Sequence, residues 1–245
     1  MKPRSIIHPK FRSFEAAISE ILKRFDQQGR LLYSGRNTIK VVDMPPYTIN
    51  IKRFKRPHIF NRIAYTFLRK SKCERAYLHS EQIIRRGFNT PQPVACFIMT
   101  QCGLMSDSFY LSIHENYPRN MYEFGQGGIA EREDIIKAFA RYTAALHEAR
   151  IFHRDYSPGN ILFEVRDARC EFCLVDTNRM SFGKVSIAKG CSAFAALWGD
   201  EAIFNLIANE YADARKADAF KCRRLIARSR RIFWKRYSAK HGKPY

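Results

Sequence analysis

Apolar residues recur at helical spacing over residues 14–25, where Phe14, Ala17, Ile18, Ile21, Leu22 and Phe25 fall on one face. Ser13 stands where an N-cap is expected, and Gly29 where the helix should stop. The period then changes to two. TIKVV and YTINIKRF alternate on either side of a Met-Pro-Pro turn and predict a hairpin. In its second strand Thr48, Asn50 and Lys52 share one face, while Ile49 and Ile51 share the other. Residues 57–70 are basic with apolar interruptions. Residues 71–86 read as a helix ended by Gly87. ACFIMTQ and SFYLSIHE, separated by CGLMSD, predict a second hairpin. Two hairpins with a helix between them make a small lobe.

Pro118 to Gly128 is a polar, glycine-containing connection. A strong helix follows, with Ile135, Ile136, Phe139, Tyr142, Thr143 and Leu146 on one side. HRDYSPGN, residues 153–160, is a loop; ILFEV and CEFCLVD then flank RDAR as a third hairpin. From about residue 192 the pattern is helical, with no strand signal. No internal repeat is present. The pattern predicts an α+β protein of two lobes. Residues 1–117 form an N-lobe with an N-terminal helix, a small sheet and one main helix. Residues 118–245 form a mostly helical C-lobe.

The chain length of 245 residues suits one domain of two lobes or two small domains, and 46% apolar residues support a core. Charge changes the picture more. Forty-three basic residues against 23 acidic ones give +20, which calls for an anionic partner: phosphates, nucleic acid or an acidic membrane surface. MKPRSIIHPK lacks a signal-peptide core, and no apolar run of about 18 residues could span a bilayer. The expected location is the cytoplasm. Seven dispersed cysteines suit a reducing compartment and buried thiols. Cys170 and Cys173 form a C-x-x-C, the spacing of a redox or metal pair. They lie in a predicted strand, however, where positions three apart face opposite ways, and no second such pair exists.

Candidate chemistry concentrates in HRDYSPGN. Phosphoryl transfer needs positioned phosphates, magnesium to screen charge, and a carboxylate at the attacking hydroxyl. Asp155, in a loop after a helix, can reach an acceptor hydroxyl. Asn160, five residues on, can offer a carbonyl oxygen to Mg2+, which takes few protein ligands and keeps several waters. Asp176, at the end of CLVD, is the expected second metal carboxylate, emerging at the same rim as Asp155.

HRDYSPGNILF followed by LVD resembles the catalytic loop and metal-binding aspartate of the protein-kinase-like superfamily. The D-x-x-P-G-N form, the LHEARIFHRD approach and VDTNRMSFG are similar to the lipopolysaccharide kinase (Kdo/WaaP) family. RNTIKVV, INIKRFK, SKCERAY and GFNTPQPVA extend the resemblance over roughly residues 30–200. It implies a two-lobed protein-kinase-like fold that uses ATP and Mg2+. It also implies a sugar or glycolipid acceptor: a hydroxyl of Kdo or heptose in lipopolysaccharide core, or of a related bacterial glycan. Residue by residue, Asp155 matches the catalytic base, Asn160 and Asp176 the metal ligands, and Lys52 the strand lysine that grips phosphates. The supporting histidines His147 and His153 match residues that hold helix and loop by hydrogen bonds.

The sequence departs from kinase patterns at several points. Only Gly35 remains of the glycine-rich loop, within SGRNT, where Arg36 and Asn37 could help hold phosphate. The D-F-G triplet is Asp176-Thr177-Asn178, no A-P-E follows, and Ser157 replaces the lysine two after the base. These losses argue against a protein substrate. The helix glutamate expected to pair with Lys52 falls at Ala76; Glu74 and Glu81 are the nearby alternatives. Asn50 stands where kinases keep a small alanine over adenine. Residues 221–245 hold ten Lys or Arg and no acid, interleaved with Leu225, Ile226, Ile232, Phe233 and Trp234. This is either a terminal helix packed on the C-lobe or an interfacial helix on the anionic inner face of a bacterial inner membrane. Two other classes compete with a kinase. One is a non-catalytic kinase-fold scaffold at the membrane surface. The other is a basic nucleic-acid-binding protein, for which no recognised module is present.

Overall fold

The computed structural model describes residues 4–125, 128–130, 132–167 and 169–242. It divides into two compact units. The first runs to Asn116 and includes Asp176–Asn178; the second comprises Tyr117–Val175 and the chain from Arg179.

The first unit is built on an antiparallel sheet. Its strands are β1 (Arg4–Ile7), β2 (Arg30–Ser34), β3 (Thr38–Met44), β4 (Tyr47–Phe54), β5 (Pro93–Gln101) and β6 (Leu104–Ile113), in the order β1-β5-β6-β4-β3-β2. The two expected hairpins are β3–β4 and β5–β6. The second is tighter than CGLMSD suggested. Only Cys102 and Gly103 turn, at φ 52 and 75, a two-residue geometry whose twist matches antiparallel strands. The edge strands β1 and β2 are short, and β2 is exposed throughout. It has no buried face and therefore no alternation to read.

The N-terminal helix α1 (Glu15–Lys23) is shorter than its apolar spacing predicts. A 3-10 turn, Pro9–Phe14, precedes it; Pro9 opens that turn, and the His8 side chain accepts from Lys10 N–H. Ser13 lies inside the turn and is not the cap; Phe14 takes that position. Phe11, Ile18, Phe25, Ile49, Ile51 and Leu111 form the core under this face of the sheet. A short helix, α2 (Ile59–Ile63), continues into a π-helical turn, Ala64–Leu68.

Helix α3 (Lys72–Arg85) begins at a capping box. Ser71 Oγ accepts from Glu74 N–H, and the Glu74 carboxylate accepts from Ser71 N–H at 2.7 Å. The chain leaves the helix through Gly87 at φ +80, a conformation that costs other residues a Cβ clash. Packing of α3 on β5 brings Cys73 and Cys96 to a Cα–Cα distance of 5.7 Å, and the two are joined in a disulfide. The expectation of buried thiols throughout is corrected at this pair, which spacing alone does not reveal. The other described cysteines, Cys170 and Cys173 included, are not joined in disulfides. Cys173 is buried and Cys170 half-buried.

The second unit holds the small strands β7 (Arg119–Asn120), β8 (Ile151–His153), β9 (Ile161–Arg166), β10 (Arg169–Leu174) and β11 (Met180–Phe182). β10-β9-β7 form one sheet, and β11-β8 another. Its helices are α4 (Glu133–Glu148), α5 (Ile187–Ser192), α6 (Glu201–Ala214) and α7 (Ala219–His241). Ile136, Phe139, Thr143 and Leu146 of α4 are buried, as their spacing predicts. Phe139 packs against the rings of Tyr156, Phe172 and Phe194. Residues 126–127 of the polar connection, residue 168 of the hairpin turn and residues 243–245 of the tail lie outside the described residues.

His147 sits in this core. Arg215 donates to the Tyr211 hydroxyl at 2.7 Å, and that hydroxyl shares a hydrogen bond with His147 Nδ1 at 2.8 Å. Burial first, then the positive charges of Arg215 and Lys189, push the imidazole pKa down to about 3. The ring stays neutral in the fold but protonates in the unfolded chain below about pH 6.5. Its contribution to stability is complete above that pH and is lost as pH falls toward about 3. The urea midpoint is expected to decline from pH 7 to pH 4, and His147→Gln to decline less steeply over the same range. Parallel slopes would place the titration elsewhere.

Helix α7 buries Cys222 and Ile226 against the unit. Arg230 stacks its guanidinium 3.4 Å from the Phe204 ring centroid and donates to the carbonyls of Leu197 and Gly199. Beyond it the rings of Phe233, Trp234, Tyr237 and His241 pack on one another along the helix. Among the described residues, no helix is long and apolar enough to cross a membrane.

Candidate active site

In the second unit, the loop after β8 is held by its own backbone and by His153. Asp155 N–H donates to His153 Nδ1 at 3.1 Å. The opposite ring nitrogen, Nε2, therefore carries the proton and donates to Val175 C=O at 3.0 Å. A neutral imidazole thus ties the loop to the chain just before Asp176. Pro158 starts a 3-10 turn through Asn160, whose fixed φ suits the first turn position. That turn folds Asn160 back, and its Nδ2 donates to Asp155 C=O at 2.8 Å. With its N–H spent on the loop, the amide oxygen is the group left for a cation. The Asp155 carboxylate accepts from Arg179 Nη1 at 2.8 Å.

In the first unit, Lys52 lies on β4 opposite Ile39 and Tyr110. Ile49 and Ile51 are fully buried on the other face, as alternation requires. Lys52 Nζ donates to Asp176 Oδ1 at 2.7 Å. Asn178 Nδ2 donates to the same oxygen, which leaves Oδ2 with coordinating capacity. Asp176 adopts φ +55, a left-handed conformation that aspartate and asparagine tolerate better than most residues. Lys55 lies elsewhere, exposed, its N–H donating to Asn37 Oδ1. Gly35 lies between β2 and β3; a Cβ there would come within 2.8 Å of Tyr33 Cζ, the far end of an exposed side chain that would have to swing aside.

Neither candidate glutamate pairs with Lys52. Glu74 is used by the α3 capping box and by Arg4 at 2.6 Å. Glu81 meets Arg85 at 3.5 Å and His8 at 3.6 Å. At Ala76, where the glutamate is expected, the helix offers its backbone: the Thr177 hydroxyl donates to Ala76 C=O at 3.1 Å. Ser80 Oγ lies 2.9 Å from Thr177 Oγ1, and His79 Nδ1 bonds Thr177 C=O at 2.7 Å. Helix α3 therefore positions the Asp176 segment directly, and Asp176 itself neutralises the lysine.

Sequence reasoning missed Arg179, Asn178, His79 and Ser80. Asn178 and Arg179 fall within VDTNRMSFG, so their position was in view. Their bonds depend on how 176–178 packs, which no local pattern encodes. Within each unit the donors are of the hard type a divalent cation takes: a carboxylate oxygen of Asp176, held beside the Lys52 ammonium, in the first, and the amide oxygen of Asn160 in the second.

The sequence profile of the lipopolysaccharide kinase (Kdo/WaaP) family matches residues 36–182. Among curated proteins none matches the sequence. A solved structure, WaaP in complex with acyl carrier protein, is similar in fold, with a TM-score of 0.65. The two are 14% identical, and the match covers 96% of this chain and 99% of that one. The α+β fold expected from the sequence is thus found, and it is similar to the kinase-like fold of WaaP.

Proposed function

The chain belongs to the lipopolysaccharide kinase (Kdo/WaaP) family, and from that premise we propose that it moves the γ-phosphoryl group of ATP onto a sugar hydroxyl. The acceptor class is Kdo or heptose of lipopolysaccharide core, or a related bacterial glycan. The observation that carries this reading is the Asp155 loop: a carboxylate on a rigid turn, with Asn160 locked beneath it.

Asp155 is the base that accepts the proton of the attacking hydroxyl. Arg179, on the same carboxylate, holds it in one orientation. Lys52 passes from Asp176 to the phosphates when nucleotide binds, and Gly35 lets the β2–β3 turn approach them. Asn160 and Asp176 are the oxygen donors for Mg2+, which when bound screens charge on the transferring phosphates. Glu74 and Glu81 act on the nucleotide only through α3, by placing the helix that holds Thr177. The protein works at the cytoplasmic side of the inner membrane. Helix α7 supports that location: it carries nine Lys or Arg, no acid, and exposed Phe220, Ile232 and Tyr237.

The test is transfer from radiolabelled ATP to purified deacylated core oligosaccharide, with mass spectrometry locating the new phosphate. Mg2+-dependent incorporation on sugar supports the proposal. ATP binding without transfer to any core oligosaccharide would favour a scaffold.

A further inference from the structure

The segment between β4 and α3 is turned inside out. Its polar side chains hold it to the unit. Arg62 Nε donates to Met105 C=O at 2.6 Å, and Met105 N–H donates to Thr66 Oγ1 at 3.0 Å. Arg69 donates to Asn61 and covers the Tyr65 ring, which is itself buried. The apolar side chains face outward: Phe60 and Leu68 are each 82% exposed, Phe67 is 69% exposed, and Ile59 and Ile63 join them. Each large apolar side chain left in water forgoes about 1.5–3 kcal/mol of burial. Five together on ten residues form a patch of the kind that marks an interaction site.

The surrounding charge selects the occupant. Residues 55–73 contain six Lys or Arg and no acid. Lys55, Arg56, Arg69 and Lys70 are exposed at the two ends of the patch. At these exposures most of the Phe60, Phe67 and Leu68 side chains project from the surface. A projecting patch needs no complementary pocket in a fluid acyl layer, whereas a protein partner would have to supply one. We propose that residues 59–68 form a membrane-inserting patch that seats Phe60, Phe67 and Leu68 in the acyl boundary of an anionic phospholipid bilayer, its flanking cations lying at headgroup phosphates. This surface belongs to the first unit, whereas α7 belongs to the second, and it does not depend on the identity of the acceptor.

The test uses the full chain and vesicles of phosphatidylethanolamine with phosphatidylglycerol, beside vesicles of phosphatidylcholine alone. Phe60→Ser/Leu68→Ser keeps every basic residue. It is expected to weaken binding to the anionic vesicles by about tenfold or more, since two buried apolar side chains are withdrawn. Phe67→Trp is expected to be quenched by acyl-chain-brominated lipid beyond the quenching of the wild-type tryptophans. Its melting curve and that of the double variant should match wild type, because the replaced side chains are exposed. Equal vesicle binding by wild type and double variant would overturn the proposal, as would absence of added quenching at position 67. A wild-type dimer in sedimentation velocity that the double variant abolishes, with no vesicle binding, would reassign the patch to a second copy. Transfer to soluble oligosaccharide, measured on the same samples, reads the kinase proposal separately.

Discussion

Asp155→Asn is expected to cut phosphoryl transfer to the sugar by about 10²-fold or more, the usual scale for losing a general base, while ATP affinity changes little. The substitution is clean because the loop is not built on the carboxylate. Asp155 uses its N–H on His153 and its C=O on Asn160 and Ser157, and asparagine keeps all three bonds. Only the contact with Arg179 loses its charge. Both side chains of that pair are substantially exposed, where an ion pair contributes roughly 0.2–1 kcal/mol. Thermal stability should therefore hold while catalysis falls. Isothermal titration of ATP alongside the transfer assay separates the roles. Equal loss of binding and transfer would make Asp155 a nucleotide-site residue; unchanged transfer would remove the base from the mechanism.

What could be read beforehand follows from how local each feature is. The Asp155 loop is encoded within eight residues, and its proline, its turn and its returning asparagine are all visible in HRDYSPGN. Lys52 was separable from Lys55 because Ile49 and Ile51 fix the register of β4: the two lysines, three apart, fall on opposite parities, and only Lys52 lies on the face away from the buried isoleucines. The two main hairpins and α4 carry their own periods. The partner of Lys52 was not legible. Glu74 looked available from spacing, yet the same spacing, S-x-x-E, makes it a capping-box residue. That competing use was written in Ser71 and is the stronger local signal. Cys73 and Cys96 meet only because α3 crosses β5, a tertiary fact. The segment 59–68 defeats periodicity differently: its apolar face points to water, so a pattern rule that equates apolar with buried has no account of it. The strands β1, β2 and β11 are too short or too exposed to show a period.

Asp176 carries the other large expected effect. Its removal strips the carboxylate that accepts from Lys52 and Asn178 and that the proposed function assigns to Mg2+. Mg2+-dependent turnover is expected to fall by about 10²–10³-fold or more, the equivalent of several kcal/mol of charge screening. Asp176→Asn is the sharper probe than Asp176→Ala. Alanine at φ +55 adds backbone strain of about 1–2 kcal/mol, whereas asparagine tolerates that conformation and keeps a hydrogen-bonding oxygen for Lys52. Thr177 still anchors the segment through Ala76, His79 and Ser80, so the fold should survive either change. The measurement is turnover against Mg2+ concentration for both variants, with nucleotide binding followed with and without the metal. The expected signature is a loss of the Mg2+-dependent part of binding and turnover, common to both variants, with little change in metal-free binding. If a folded Asp176→Asn variant turned over normally, the metal would have to be held elsewhere, and the Lys52–Asp176 contact would be a structural ion pair alone.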